Sequence, residues 1–326
     1  MGSLAAVSGN RVRAARLHEH GQPLRVQEVE LPEPGEGEVR VRLRYGGVNP
    51  VDRYIAEGRV AADAPLPRTL GGEASGELDG RPVLVAGEAL GSARDGVWAE
   101  AANVPRAAIL ELPDGASERE AAAMGVAGLT AWNTVVDLGQ VGSEDRVLVL
   151  GASGGVGSVI VSLVKSLGAT VWGQTGSQEK AAGIERQGAD RVVVGGPDAL
   201  AGALGDFEPT VVLDPLGGDF VRPAVEALAP RGRLVTFGTS AGPEVALNLQ
   251  SLYRKSAQIL GYGGMQVGRE ARREGLQQAL RALAEGRVRV PVDEVLPLEA
   301  VNDAFRRLSE RQVQGKLLLA LGADRA

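Results

Sequence analysis

Seven consecutive residues, Gly151-Ala152-Ser153-Gly154-Gly155-Val156-Gly157, have the composition and spacing of a loop that cradles a dinucleotide pyrophosphate. The pattern is A-x-G-x-x-G, carried by Ala152, Gly154 and Gly157. Gly154 lets the backbone approach the phosphates, and Gly157 lets the following helix pack closely on the preceding strand. The N-terminus of that helix offers unpaired N–H groups to the anion. Ser153, Gly154, Gly155 and Val156 are therefore expected to line a nicotinamide cofactor, together with Gly173 of the next strand. Enzymes that use NAD place Asp or Glu about 20 residues beyond the glycines, on the ribose 2′-hydroxyl. Here the corresponding stretch reads Gln174-Thr175-Gly176-Ser177, with no carboxylate. Ser177 offers a hydrogen-bond donor and Lys180 a positive charge, which suits a 2′-phosphate, so NADPH is the expected cofactor. The competing reading is a solvated Lys180 at a helix start, its charge diluted by Glu179.

Such a loop is meaningful only between a strand and a helix. Arg146–Leu150 is a short apolar run of the kind that forms a buried parallel strand. Beyond the glycines, Val156, Val159, Ile160, Leu163, Val164 and Leu167 recur at helical spacing, and Gly168 stands where a helix ends. Further strands are expected at 170–174, 191–194, 210–214, 232–237 and 257–262, with helices between them. That alternation predicts an α/β fold with a doubly wound, Rossmann-type parallel sheet. Before about residue 110 the signals are short strands and glycine turns, as in the alternating Glu38–Tyr45, and they predict a β-rich region. Ser117 and Glu120 form a capping box at a helix start. After the sixth strand come helices near 268–286 and 298–309 and a closing strand, Lys316–Leu319.

Bulk properties exclude several classes of function. Thirty-five basic and forty-one acidic residues give a net charge of −6, which offers no broad attraction to nucleic acid or to an anionic membrane. No apolar run approaches the roughly 20 residues of a membrane span. The stretch Met1–Asn10 lacks the features of a secretory signal, so a cytoplasmic protein is expected. There is no cysteine, which removes disulfides, thiolate catalysis and cysteine-bound zinc together. The only two histidines, His18 and His20, flank a glycine turn and read as turn residues.

Several motifs in order resemble one family along nearly the whole chain, from about Val12 to Leu321. They are Gly47-Val48-Asn49-Pro50-Val51-Asp52-Arg53-Tyr54, Gly71-Gly72-Glu73-x-x-Gly76, Ala127-Gly128-Leu129-Thr130-Ala131, the glycine turn, Leu213–Gly218, Gly232–Val235 and Gly315-Lys316. The sequence resembles the medium-chain dehydrogenase/reductase superfamily, and within it the zinc-free quinone oxidoreductase branch that includes zeta-crystallin. That resemblance implies a GroES-like catalytic domain from both termini, at 1–124 and 264–326, around a Rossmann domain at 125–263. It implies a homodimer acting on a small molecule. The zinc-dependent relatives carry a cysteine where this chain has Asn49, and Gly-His-Glu where it has Gly71-Gly72-Glu73. Zinc of that type is therefore not expected.

The resemblance also assigns roles. Asn49 would orient substrate or carboxamide, the Tyr54 phenol would donate to a developing oxyanion, Thr130 would bond the nicotinamide ribose and Asp52 would orient its neighbours. Phe237, Gly238 and Tyr262 would meet the nicotinamide half, and Lys316 belongs to the cofactor set. Alternatives stay open: Asn49 and Asp52 as ordinary turn residues, and Tyr54 as a packing residue. Arg53 departs from the small hydroxyl residue common in relatives and is either an anion contact or a solvated side chain. Asp214 is either an acid or a turn residue. The expected activity is zinc-independent, NADPH-dependent hydride transfer to a quinone or an α,β-unsaturated carbonyl. The alternatives are an enoyl-thioester reductase and a non-catalytic NADPH-binding structural or regulatory protein.

Overall fold

The computed structural model describes residues 10–322; Met1–Gly9, within the stretch on which the expectation of no leader rested, lie outside the described residues. The chain divides into two units, Met1–Val126 with Val292–Ala326, and Ala127–Pro291.

The first unit is built from β1 (Arg11–Leu17), β2 (Arg25–Glu30), β3 (Glu38–Val48), β4 (Arg68–Thr69), β5 (Glu73–Leu78), β6 (Arg81–Ala86), β7 (Ala101–Pro105) and β8 (Ile109–Glu111). A short helix α1 (Pro50–Ala56) follows β3, and α2 (Glu118–Ala121) starts at the Ser117 cap. One sheet has the order β2-β1-β4. The larger one runs β15-β16-β3-β5-β6-β8, with β7 also paired to β3; β15 (Val292–Pro297) and β16 (Lys316–Ala320) come from the far end of the chain. Apolar residues of both sheets, among them Leu17, Leu43, Leu70 and Trp98, fill a common core. β16 enters because Leu317, Leu318 and Leu319 are all fully buried, as a strand covered on both faces requires. His18 and His20 lie in the turn after β1, bonded to Gln27 and to the Ala62 carbonyl, in keeping with turn residues.

The second unit continues with α3 (Met124–Trp132), which begins just before the boundary, and a π-helical turn over Asn133–Leu138. Its strands are β9 (Arg146–Val149), β10 (Thr170–Thr175), β11 (Arg191–Val194), β12 (Val211–Asp214), β13 (Arg233–Thr236) and β14 (Gln258–Gly261). They form one all-parallel sheet in the order β11-β10-β9-β12-β13-β14. Counted within the unit this is 3-2-1-4-5-6, the order of a dinucleotide-binding doubly wound sheet. Crossovers include α4 (Gly155–Ser166), α5 (Ala181–Arg186), α6 (Pro197–Leu204), α7 (Val221–Ala227) and α8 (Leu249–Arg254). All six expected strands are present within a residue or two of their expected ends.

The second boundary differs from the expected 263/264. Helix α9 (Arg269–Ala284) stays in the second unit because Gly275 packs against it: a Cβ there would lie 2.8 Å from Asn133 Oδ1 and 2.9 Å from Leu129. The stretch after α9 is tied down as well, since Ser162 Oγ bonds both the N–H and the carbonyl of Arg289. The chain returns to the first unit at Val292, followed by α10 (Val301–Ser309).

Candidate functional site

In the first unit, three strand ends bring together residues that are far apart in sequence. Leu317 at the start of β16 pairs with Val48 at the end of β3, and Ala74 at the start of β5 pairs with Gly46. Lys316, Asn49 and Glu73 lie next to these positions. Asn49 is the N-cap of α1, with Pro50 in the first helical turn and Asp52 at the third helical position. The Asp52 carboxylate accepts the Asn49 backbone N–H at 2.8 Å, the reciprocal half of a capping box. Residues 50–56 carry no helical signal in the sequence, because a single short turn gives no apolar periodicity to read.

All four side chains are buried, with Asn49 and Lys316 at 3% exposure, Asp52 at 2% and Glu73 at 0%. The Lys316 ammonium donates to Asn49 Oδ1 and to Glu73 Oε1, both at 2.6 Å. Asn49 Nδ2 donates to the same Glu73 oxygen at 2.7 Å, and Glu73 Oε2 accepts the Val126 N–H at 2.6 Å. Lys316 and Glu73 thus cancel each other's charge. Asp52 has no such partner, and burial pushes its carboxyl up to about 7, helped by the Glu73 charge and opposed by the Asn49 N–H and the Lys316 charge. In the sequence Glu73 stands out only as part of the Gly71-Gly72-Glu73 motif. Lys316, expected among the cofactor contacts, has its ammonium committed to Asn49 and Glu73.

Tyr54 is on α1, half-buried, with the guanidinium groups of Arg53 and Arg59 at 5.3 and 4.5 Å from its ring centroid. Glu57 bonds both arginines, at 2.8 and 3.4 Å, so Arg53 is neither a lone anion contact nor simply solvated.

In the second unit the glycine turn has the expected form. Gly154 is the N-cap of α4 in extended backbone, and the first intrahelical bond runs from the Ser158 N–H to the Gly154 carbonyl at 2.9 Å. The N–H groups of Gly155, Val156 and Gly157 have no intrahelical partner. A Cβ on Gly157 would lie 2.4 Å from the Gly151 carbonyl oxygen, whereas one on Gly154 would meet that oxygen at 3.4 Å. Gly154 is thus replaceable as far as the fold is concerned, and what its bareness leaves open is room for a ligand. Gly173 is buried, and a Cβ there would crowd Ile184 and Ala152.

At the end of β10, Gln174 does not take the place of a ribose-binding carboxylate. It is 1% exposed, accepts the Gly151 N–H at 3.0 Å and donates to the Gly195 carbonyl at 2.7 Å, bracing the glycine turn. Thr175 Oγ1 lies 3.3 Å from both Ser153 Oγ and the Ser177 N–H. Ser177 and Lys180, both half-buried, follow at once. Asp214 Oδ1 caps the next loop by accepting the N–H groups of Leu216 and Gly217, which supports its reading as a turn residue. Phe237 and Gly238 follow β13; a Cβ on Gly238 would strike the Pro215 carbonyl. Tyr262 follows β14, its hydroxyl near the Thr130 and Asn133 side chains and its phenol pushed up by burial.

A parallel 3-2-1-4-5-6 sheet with a bare helix N-terminus after its first strand is the arrangement of a dinucleotide-binding domain. Residues 187–319 match a family model described as zinc-binding dehydrogenase. Over 96% of its length, the chain is 32% identical to bovine quinone oxidoreductase-like protein 2, covering 93% of that protein. It is 28% identical over 91% of its length to a segment making up 14% of a phenolphthiocerol/phthiocerol polyketide synthase of Mycobacterium tuberculosis. A crystal structure of an NAD-dependent alcohol dehydrogenase superposes with a TM-score of 0.86 at 32% identity, over 95% of this chain and all of that one. The chain belongs to the quinone oxidoreductase branch of the medium-chain dehydrogenase/reductase superfamily.

The name of the family model raises a zinc ion, and the residues here do not fit one. A zinc site needs thiolate, imidazole or carboxylate ligands converging on one point. The sequence has no cysteine, and both histidines are in the β1–β2 turn. The one carboxylate at the relevant positions, Glu73, already carries the Lys316 ammonium on one oxygen and a backbone N–H on the other.

Proposed function

We propose that the chain is an NADPH-dependent reductase that needs no zinc and acts on a small electron-poor acceptor, a quinone or an α,β-unsaturated carbonyl. The observation that carries this is the donor set around Asn49: amide, carboxylate and ammonium, in place of metal ligands. Without a Lewis acid, the acceptors that suit a nicotinamide oxidoreductase are those whose incoming charge delocalises to an oxygen that a hydrogen bond can hold. NADPH would supply a hydride. Ser153, Gly154, Gly155 and Val156 would bind its pyrophosphate, Ser177 and Lys180 the 2′-phosphate, and Gly173, Phe237, Gly238, Tyr262 and Thr130 the rest. Asn49 and Tyr54 would donate to the acceptor oxygen, with Asp52 holding the Asn49 backbone.

A second reading, reduction of an enoyl thioester, draws support from the polyketide synthase relative. The test is NADPH consumption against a panel of quinones, enones and enoyl thioesters, repeated with NADH. Turnover confined to one group assigns the acceptor; binding of NADPH with no turnover on any of them overturns the enzymatic reading. We further propose a homodimer that pairs along β14, the edge of the parallel sheet. Leu249, Tyr253 and Met265, each at least 65% exposed, together with Ile259 on β14 itself, support it. Light scattering that gives a monomer mass at micromolar concentration would refute it.

A further inference from the structure

We propose that Lys316 is a positioning residue for reduction. Seated on the Asn49 carbonyl oxygen and held there by Glu73, its ammonium fixes the Asn49 amide as a hydrogen-bond donor to the acceptor oxygen. This rests on the reductase reading above and adds to it which atom of Asn49 works and what aims it.

The hydrogen bonds close a triangle. Lys316 Nζ donates to Asn49 Oδ1, Asn49 Nδ2 donates to Glu73 Oε1, and the same Glu73 oxygen receives Lys316 Nζ, all within 2.7 Å. An ammonium has donors only, so the atom facing it must be the amide oxygen; a flipped amide would set N–H against N–H. Glu73 enforces the same orientation from the other end, because a carboxylate only accepts. Glu73 Oε2 is occupied by Val126, so this carboxylate has no oxygen left without a partner. Asn49 then keeps one polar hydrogen outside the triangle, the second on Nδ2; in the resting protein it is turned toward the Asp52 carboxyl, and an acceptor oxygen would compete with that carboxyl for it.

The consequence is chemical. A positive charge on a carbonyl oxygen draws electron density from the amide nitrogen and strengthens its N–H as a donor, and a buried site with little solvent preserves the effect. A donor fixed before the reaction, aimed at an oxygen that gains negative charge, stabilises the transition state more than the ground state. The ammonium therefore acts through the amide, as a charge one residue removed from the substrate.

The test separates this from a purely structural ion pair. Lys316→Met alone strands the buried Glu73, so the informative variant is Lys316→Met/Glu73→Gln, which removes both charges together. It is expected to fold, to bind NADPH as the parent does, and to keep KM for the best quinone within about threefold, while kcat falls at least tenfold. Asn49→Ala should cost the parent a similar factor and cost the double variant almost nothing more. Parent-like kcat in the double variant, or losses that multiply independently, would overturn the proposal.

The side-chain NH2 group of Asn49, assigned by its disappearance in Asn49→Asp, gives a readout free of turnover. Both protons are expected to be displaced from free-amide shifts and to exchange slowly with solvent in the parent, and to move toward free-amide shifts with faster solvent exchange in the double variant. If the parent reduces nothing but shows the displaced, solvent-protected pair, the functional reading fails and the positioning stands; free-amide shifts with fast solvent exchange in the parent overturn the positioning itself.

Discussion

The glycine turn at 151–157 and the cluster around Asn49 arrange polar groups in opposite ways. The turn uses backbone: three N–H groups with no helical partner, a missing side chain at Gly154 and an uncharged brace from Gln174. The cluster uses side chains, with two carboxyls and an ammonium taken almost completely out of water around one amide. Neutral N–H groups at a helix end cost little to leave open, so the turn is suited to receive a ligand that arrives and departs. Buried charges must be satisfied at all times, so the cluster is closed on itself and offers only what is left over. The first arrangement predicts weak coupling of ligand groups to stability, and the second predicts strong coupling.

The largest effect expected from that contrast is in the cluster. Lys316→Met removes the only cation on Glu73 and should destabilise the protein by about 3–5 kcal/mol. Adding Glu73→Gln should restore most of it, as read from thermal unfolding. If the single variant melted within a degree or two of the parent, the pair would not be charged in the folded state, and the contrast would collapse.

Next in size is the proton on Asp52. Its carboxyl rises from the ordinary 3.8 to about 7 in the folded protein, chiefly through burial. The folded state then binds a proton that the unfolded chain has released, so stability falls as pH rises from about 4 to about 7 and is flat beyond. Relative to Asp52→Asn, which cannot ionise but still accepts the Asn49 N–H, the parent should lose on the order of 3 kcal/mol across that window. Parallel pH–stability curves for the two proteins would mean that the carboxyl is not desolvated. Nothing comparable is expected from the turn, where no ionisable group is buried.

Two neighbouring glycines sharpen the contrast from the other side. Gly157→Ala forces a methyl against the Gly151 carbonyl and should cost about 1–3 kcal/mol of stability whether or not a ligand is present. Gly154→Ala meets only an ordinary contact and should leave the melting temperature nearly unchanged. It should instead weaken dinucleotide binding about tenfold or more, since the methyl fills the space proposed for the pyrophosphate. Calorimetric titration of Gly154→Ala at parent affinity would separate the turn from the cofactor.

The same contrast explains what could be read from the sequence. β9 to β14 were legible because a parallel strand covered on both faces is an unbroken apolar run, and the glycine turn because its whole pattern spans seven residues. Asn49, Glu73 and Lys316 were each noticed in a motif, but their triangle was not. Lys316 is separated from Asn49 by 267 positions and from Glu73 by 243, and strand register alone brings them together. The resemblance puts Lys316 with the cofactor contacts; only β16 entering beside β3 shows that it is buried against Asn49 and Glu73. The second domain boundary was missed for a related reason. The packing of Gly275 on Asn133 decides it, and a glycine in an otherwise ordinary amphipathic helix announces no partner.

The smallest expected effect tests cofactor choice at the end of β10. With Gln174 turned inward to brace Gly151 and Gly195, no carboxylate or amide from that position reaches outward, and the next side chains along the chain are Ser177 and Lys180. A lysine held at the surface contributes to phosphate binding as a screened point charge, worth about 1 kcal/mol or roughly fivefold in affinity. Lys180→Ala should therefore lower the NADPH-to-NADH affinity ratio about fivefold while leaving NADH binding alone, because NADH has no phosphate at the 2′ position. Measuring both affinities by fluorescence titration at low salt, and again at about 0.5 M salt, adds a second criterion. The parent's preference should shrink with salt and the variant's should not, since only a charge–charge contribution is screened. An unchanged ratio in the variant would assign the preference to Ser177 and to the missing carboxylate, and would place this site with the backbone-built turn rather than with the charged cluster.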